Sequence, residues 1–152
     1  MSEVPTIIKR LLFELEKLAK YKFHYAIILI CGVCGELIFK ENLQIYDTRK
    51  PSYEKQLINA FSNKKISKSV FAILEDIRVI RNKYIHIDNI KILDDWGIGY
   101  VDEYGMIGLA NDIALRSFSE KDFEKTLLIH METDARATYQ AVKALIKELY
   151  DY

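Results

Sequence analysis

The segment from Arg78 to Asp88 concentrates side chains that can do chemistry, in the order Arg-Val-Ile-Arg-Asn-Lys-Tyr-Ile-His-Ile-Asp. An arginine can bind a phosphate through two parallel N–H groups. A histidine has an ordinary pKa of about 6.5 and can therefore move a proton at neutral pH. These residue types could form a functional site. The same groups can equally form the polar end of a helix and satisfy one another, and both interpretations stand at this point.

Helical geometry limits how this segment can form a site. At about 100° per residue, Arg81 lies within the apolar face of its helix, whereas His86 lies about 140° away around the axis. Arg78, Asn82 and His86 are spaced at four and form one polar stripe. Arg81 and His86 therefore converge in one of two ways. Either the helix distorts near Lys83, or two copies of the chain meet across a two-fold axis.

The composition predicts one compact domain spanning residues 1–152. Half of the residues are hydrophobic, and 22 Lys or Arg balance 22 Asp or Glu. This balance argues against a wide surface that wraps nucleic acid, but it permits a local basic groove. Such a basic block exists, since nine Lys or Arg stand against three Asp or Glu between Arg49 and Lys83, a difference of +6.

No membrane segment is expected. The longest apolar run, from Tyr25 to Gly35, has eleven residues, whereas a spanning helix needs about 20. The N-terminus lacks the basic start and the cleavage site of a signal peptide. We therefore expect a cytoplasmic protein.

The spacing of apolar residues predicts an all-α, up-and-down bundle of four to five helices. The expected helices cover residues 5–20, 22–45, 53–63, 67–86 with Ser67 as N-cap, and about 119–150. The short third helix is expected to turn Leu57, Ile58 and Phe61 inward. Two short apolar runs flanking a turn predict a small β-hairpin insertion near residues 98–109.

The second helix carries three further features. Gly32 and Gly35 cost helix propensity, which close approach of another helix would explain. Glu36 either reaches the helix rim or faces inward and needs a cation, for which Arg81 is the nearest candidate in the motif. Cys31 and Cys34 form a C-x-x-C in the middle of an apolar helix, with no further ligands at metal spacing. We interpret them as reduced core cysteines and expect no metal ion and no cofactor.

Arg81-Asn82-Lys83-Tyr84-Ile85-His86 resembles the signature of HEPN-domain proteins, in which an arginine is followed by a polar residue, often asparagine, then a spacer and a histidine. HEPN domains are small all-α bundles that carry this motif toward the end of an interior helix. The resemblance implies a homodimer whose two motifs line one cleft. In many members this cleft is the active site of a metal-independent endoribonuclease. Some members act as toxins that are paired with an antitoxin protein, or in defence against phage.

The resemblance implies catalytic roles for Arg81 and His86, with Asn82 in support. The arginine would hold the phosphate and offset its developing charge, while the histidine would move the proton of the 2′-OH or of the leaving 5′-oxygen. The products would be a 2′,3′-cyclic phosphate and a 5′-hydroxyl. Lysines and an arginine of the basic block are candidates for binding RNA, and three further residues for supporting the site. The first set is Arg78, Lys83, Lys64 and Lys65, and the second is Glu36, Tyr84 and Asp88.

The chain departs from one branch of the family. Toxins paired with a nucleotidyltransferase antitoxin carry a tyrosine two residues after the histidine, where this chain has Asp88. Two other interpretations remain. The fold could serve as a dimerisation or nucleotide-binding module without chemistry, or as a scaffold that uses the Gly32/Gly35 helix and the hairpin. In the purely structural interpretation Arg81 pairs with Glu36, Asn82 faces water and His86 ends the helix.

Overall fold

A computed structural model describes residues 3–45, 51–85, 100–101, 107–108 and 120–150 of the chain. The described part is built mainly from α-helices, as the sequence predicts. In chain order these are α1 (Thr6–Lys20), α2 (His24–Leu43), α3 (Tyr53–Ser62), α4 (Lys68–Ile85) and α5 (Glu120–Leu149).

Helix α2 lies at the centre and packs against α1, α4 and α5. Its sequence is apolar on nearly every side, which is typical of a helix that is surrounded by others. Contacts far apart in sequence show that α4 runs antiparallel to both neighbours. Along α2, Gly32 meets Arg81 and Gly35 meets Ile77. Along α5, Tyr84 binds Asp134, and Ser69 near the start of α4 binds Glu148.

The core is aliphatic and is formed mainly by α1, α2, α4 and α5. The most deeply buried large side chains come from all four and from α3: Tyr84, Phe39, Ile8, Leu15, Ile28, Ile38, Leu57, Leu74, Ile77, Leu145 and Ile146. The inward prediction for α3 is right for Leu57 and wrong for Ile58 and Phe61, which are 47% and 37% exposed. Gln56 and Ala60 take the buried face beside Leu57 instead.

Three helices end with the same backbone turn. Lys22, Gln44 and Lys64 adopt left-handed φ values of 58°, 54° and 57° after α1, α2 and α3. In each case the next N–H bonds to a carbonyl five residues back, as in Phe23 N to Leu18 O at 3.1 Å. This pairing is the Schellman motif, which satisfies carbonyls left over at a helix end. At the start of α4, the Ser67 hydroxyl accepts a bond from Val70 N at 3.1 Å, which confirms the predicted N-cap.

Two short strands, β1 (Tyr100–Val101) and β2 (Ile107–Gly108), pair in antiparallel register. A ladder of two residues per strand does not establish the insertion predicted near 98–109, whose turn lies outside the described residues. The hairpin therefore stays a prediction. None of the described helices combines the length and apolar character that crossing a membrane requires.

Candidate functional site

Arg81 reaches α2 at the position where Gly32 has no side chain. A Cβ placed on Gly32 would lie 2.1 Å from Arg81 Cδ and 2.7 Å from Arg81 Cγ. The stem of the arginine therefore occupies the space that any other residue at position 32 would fill. This is the close approach that the two glycines of α2 predicted. At Gly35 a Cβ would lie 3.3 Å from Ile77 Cγ2, so the helices also approach there, although less closely.

The Arg81 guanidinium is incompletely bound. Its Nη1 donates to Glu36 Oε2 at 3.4 Å and its Nη2 to Asn82 Oδ1 at 3.3 Å, both at the long limit of a hydrogen bond. Its Nε is buried and has no partner among the described residues. A guanidinium has five N–H donors in a planar fork. Most of the binding capacity of Arg81 is therefore unused within the described part of the chain.

Glu36 is shared between two cations. Its Oε1 accepts a bond from Lys40 Nζ at 2.6 Å, which is much shorter than the contact between its Oε2 and Arg81. The three side chains are 27%, 21% and 19% exposed for Glu36, Lys40 and Arg81, so the cluster lies at the rim of the core. Because the carboxylate binds Lys40 more closely, its hold on Arg81 is weak. The cluster carries one negative and two positive charges.

Arg78, one turn earlier on α4, is bound more tightly than Arg81. It donates to both oxygens of Glu75, at 2.6 and 2.8 Å, and its Nη2 lies 3.2 Å from Glu54. The hydrogen bond to Glu75 raises the pKa of Arg78 and lowers that of the Glu75 carboxyl. Because Glu75 and Glu54 already bind it, Arg78 is a poor phosphate ligand.

Tyr53 is a further ionisable group of this neighbourhood. Burial, and next the charge of Glu36, raises the pKa of Tyr53 well above its ordinary value, so this phenol stays neutral.

Tyr84 joins α4 to α5. The ring is fully buried, and its hydroxyl donates to Asp134 Oδ2 at 2.7 Å. Burial, together with the hydrogen bond to Asp134, raises the pKa of Tyr84 well above its ordinary value. The Tyr25 hydroxyl of α2 donates to the Tyr84 carbonyl at 3.4 Å. Tyr84 thus connects the last turn of α4 to α5 through Asp134 and to α2 through Tyr25. These two contacts hold the end of α4, where Arg81 and Asn82 lie.

The structure brings some of the predicted site residues together and separates others. Arg81, Asn82 and Glu36 form one cluster. Lys64 and Lys65 follow α3 near the start of α4, which places them about 20 Å from Arg81 along that helix at 1.5 Å per residue. Lys83 is partly exposed in the last turn of α4. The two remaining candidates, His86 and Asp88, lie outside the described residues.

Two residues of this neighbourhood were not predicted. Lys40 stands four residues after Glu36, a spacing that favours an ion pair on a helix, so the sequence contained a signal for it. Asp134 is 50 residues from Tyr84 on another helix. No spacing rule connects residues that far apart, and the contact follows only from helix packing.

Cys31 and Cys34 are buried and form no disulfide, as predicted. Burial raises the pKa of each thiol to about 12. A thiol with so high a pKa is a poor nucleophile at neutral pH. Within the described residues, no three His, Cys, Asp or Glu side chains come close enough together to hold a metal ion.

A scan against protein-family models gives no match, and neither do searches of curated proteins and of solved structures.

Proposed function

We propose that this chain is a metal-independent endoribonuclease of the HEPN type. The observation that supports it best is the state of Arg81. The aliphatic stem of Arg81 packs against Gly32. The guanidinium makes two long contacts, and its Nε has no partner in the described part of the chain. An arginine placed in this way retains the donors that a phosphate binds. It also begins the Arg-Asn-x-x-x-His pattern.

The chemistry assigned to the site uses the nucleophile of the substrate. The 2′-OH of RNA attacks the adjacent phosphorus while a base takes its proton, and the bond from phosphorus to the 5′-oxygen breaks as that oxygen gains a proton. His86 moves one or both of these protons. Arg81 offsets the charge that develops on the phosphate oxygens, and Asn82 orients His86 or binds the phosphate. The products are a 2′,3′-cyclic phosphate and a 5′-hydroxyl.

A homodimer provides the geometry that a single straight helix does not. Helix α2 carries a stripe of apolar residues at intervals of four, Tyr25, Leu29, Val33 and Leu37, none of which is buried. Tyr25 is 40% and Val33 is 47% exposed, and Gly32 with Arg81 lies beside this stripe. A second copy packed on the stripe would bring two motifs into one cleft. Further partners of such an enzyme, acting as a toxin or in phage defence, would be RNA and an antitoxin protein.

The decisive experiment measures cleavage of single-stranded RNA in EDTA. We expect the wild type to cleave, and Arg81→Ala and His86→Ala each to lose at least about 100-fold in rate, the usual contribution of a general acid–base or of one charge-stabilising donor. Arg10→Ala is the matched control, because it removes an exposed arginine that binds Glu14. Equal cleavage rates in all four proteins would refute the assignment of Arg81 and His86 as catalytic residues.

A second function is favoured by one observation. Glu36 contacts Arg81 within the same chain, as a structural ion pair would. In that case the fold is a HEPN-like dimerisation or nucleotide-binding module without chemistry. This alternative predicts no RNA cleavage and no growth defect on expression. It also predicts nucleotide binding, measured by calorimetry, that Arg81→Ala abolishes and His86→Ala does not.

A further inference from the structure

The turn between α1 and α2 exposes two aromatic rings between lysines. We call residues 20–23, Lys20-Tyr21-Lys22-Phe23, the α1–α2 turn. Tyr21 is 66% and Phe23 is 58% exposed, more than any other aromatic side chain in the described part of the protein. Their ring centroids are 6.4 Å apart. Exposed apolar surface of this kind marks an interaction site more often than isolated exposed residues do.

The backbone of the turn holds both rings in place. Lys22 N donates to Ala19 O at 3.2 Å, Phe23 N donates to Leu18 O at 3.1 Å, and Lys22 has a φ of 58°. A Schellman motif commonly adds an apolar contact of the residue at the position of Phe23 with the helix. That contact accounts for an apolar residue at this position, but it does not account for a ring that is more than half exposed.

The charge around the turn is positive. From Lys17 to Gly35 the sequence contains three lysines and no Asp or Glu. Behind the turn, a cavity of about 230 Å³ is lined by Lys22, His24 and Arg136. Among the described residues, the acid in its lining is Glu132, which binds Arg136 at 3.1 Å. A polyanion approaching the turn thus meets cations beside aromatic faces.

The turn lies at the same end of the bundle as the motif. Tyr25, two residues after Phe23, donates its hydroxyl to the Tyr84 carbonyl in the last turn of α4. Gly32, on which Arg81 is seated, is nine residues from Phe23, or about 13 Å along α2. A short single strand bound at Arg81 can span that distance.

We propose that the α1–α2 turn binds the bases of a single-stranded RNA whose phosphate is held at Arg81. Tyr21 and Phe23 stack on bases, and Lys20 and Lys22 neutralise phosphates, the combination by which proteins bind single strands without reading their sequence. The proposal rests on the proposed function, since it names the path of the same substrate.

Two other occupants fit these features less well. A second copy of the chain, packed symmetrically on this turn, would place lysines against lysines, which is unfavourable. An acidic peptide would use the lysines but not two flat aromatic faces. Both are outcomes of the test below.

The test measures binding of a fluorescent 2′-O-methyl oligonucleotide, which has no free 2′-OH, to the full chain by anisotropy. We expect Tyr21→Ala/Phe23→Ala to weaken binding at least about tenfold, as the loss of stacked bases does. Tyr21→Phe/Phe23→Tyr, which keeps both rings, should bind within about twofold of wild type. Lys20→Gln/Lys22→Gln should weaken binding and reduce its salt dependence.

The matched control is Lys143→Gln/Lys147→Gln. These lysines are exposed on α5 near Glu148, which binds Ser69 at the far end of α4 from the motif. They should change affinity less than about twofold, since both pairs carry the same charge but only one adjoins the motif. Circular dichroism confirms that each variant folds.

Several outcomes would overturn the proposal: no binding by wild type, unchanged binding by Tyr21→Ala/Phe23→Ala, or competition by polyglutamate as strong as that by RNA. Light scattering that shows this variant to be monomeric where wild type is dimeric, with RNA affinity unchanged, would assign the turn to self-association. The two proposals fail separately. Absence of cleavage with ring-dependent binding refutes only the nuclease, and cleavage with ring-independent binding refutes only the turn.

Discussion

Arg81 and Tyr84 lie three residues apart on α4, yet neighbouring helices hold them in opposite ways. The Tyr84 ring is fully buried, and its hydroxyl makes a 2.7 Å bond to Asp134. Arg81 is 19% exposed and makes contacts of 3.3 and 3.4 Å, with its Nε unpartnered in the described part of the chain. One residue is fixed, and the other is positioned by its stem while its charged end stays incompletely bound.

The two residues lie within a single helical turn, but they differ in how much each can contribute to stability and to ligand binding. A satisfied buried group contributes to stability, and removing its partner is costly. A partly satisfied group at the rim of the core contributes little to stability but keeps donors that a ligand could use. The last turn of α4 therefore combines an anchor, Tyr84, with an incompletely bound cation, Arg81. Each prediction below changes one side of this comparison.

The largest effect is expected for Gly32→Ala. The new Cβ would lie 2.1 Å from Arg81 Cδ, so either the arginine stem or the helix must move. Overpacking of this kind typically costs about 2 kcal/mol, which outweighs the gain in helix propensity. Urea unfolding measures the change. The double variant Gly32→Ala/Arg81→Ala removes the two closest contacts and leaves only the 3.1 Å approach to the Cβ at position 81, so most of the loss should be recovered.

Gly35→Ala is the matched control, since its Cβ would meet Ile77 at 3.3 Å and needs only a small adjustment. An equal loss of stability in Gly35→Ala would mean that the Arg81 stem is not what requires Gly32.

Tyr84→Phe should lower the free energy of unfolding by about 1.5 kcal/mol, because Asp134 loses a hydrogen-bond donor in a partly buried place. Tyr25→Phe offers a comparison within the same cluster. Its hydroxyl makes a 3.4 Å bond and its side chain is 40% exposed, so the loss should be less than about 0.5 kcal/mol. Similar losses in both variants would contradict the role of Tyr84 as the anchor.

The anchor should also weaken at high pH. Burial raises the pKa of Tyr84 above the ordinary 10.0, so the phenol ionises more readily in the unfolded chain than in the folded one. Its contribution is complete below pH 10 and is lost as the pH rises from there. Between pH 9 and pH 11 we expect wild type to lose about 1.4 kcal/mol more than Tyr84→Phe.

Subtracting the variant removes the parallel contributions of Tyr53 and of the two buried thiols, whose pKa values are also raised. Denaturant unfolding of both proteins across this pH range checks the prediction, and parallel curves would exclude Tyr84 as the source.

The smallest effect is expected for Glu36→Gln. If Arg81 is available for a ligand and Glu36 binds it only weakly, the free energy of unfolding should change by less than about 0.5 kcal/mol, as for a partly exposed ion pair. If the two residues form a structural ion pair, the free energy of unfolding should fall by about 3 kcal/mol, the cost of breaking a buried pair. Glu132→Gln, which breaks the exposed pair with Arg136, serves as the reference. A loss near the larger value would favour the structural interpretation of the motif.

The sequence by itself determined the local features of the protein. The spacing of apolar residues located the helices to within a few residues, since one helix face must be buried wherever the chain packs. The cost of glycine within a helix pointed to the close approach at Gly32. The apolar surroundings of Cys31 and Cys34 predicted buried, reduced thiols.

Only the tertiary structure decided which side chains meet between helices. That Arg81 shares Glu36 with Lys40, that Tyr84 finds Asp134, and that Lys64 lies far from the motif all depend on the rotation and register of packed helices. The apolar pattern of each helix fixes which face turns inward, but it does not fix the position of that face along its neighbour. That position is set by the packing of the complete helix surfaces against each other. Between α4 and α2 it places the stem of Arg81 against Gly32.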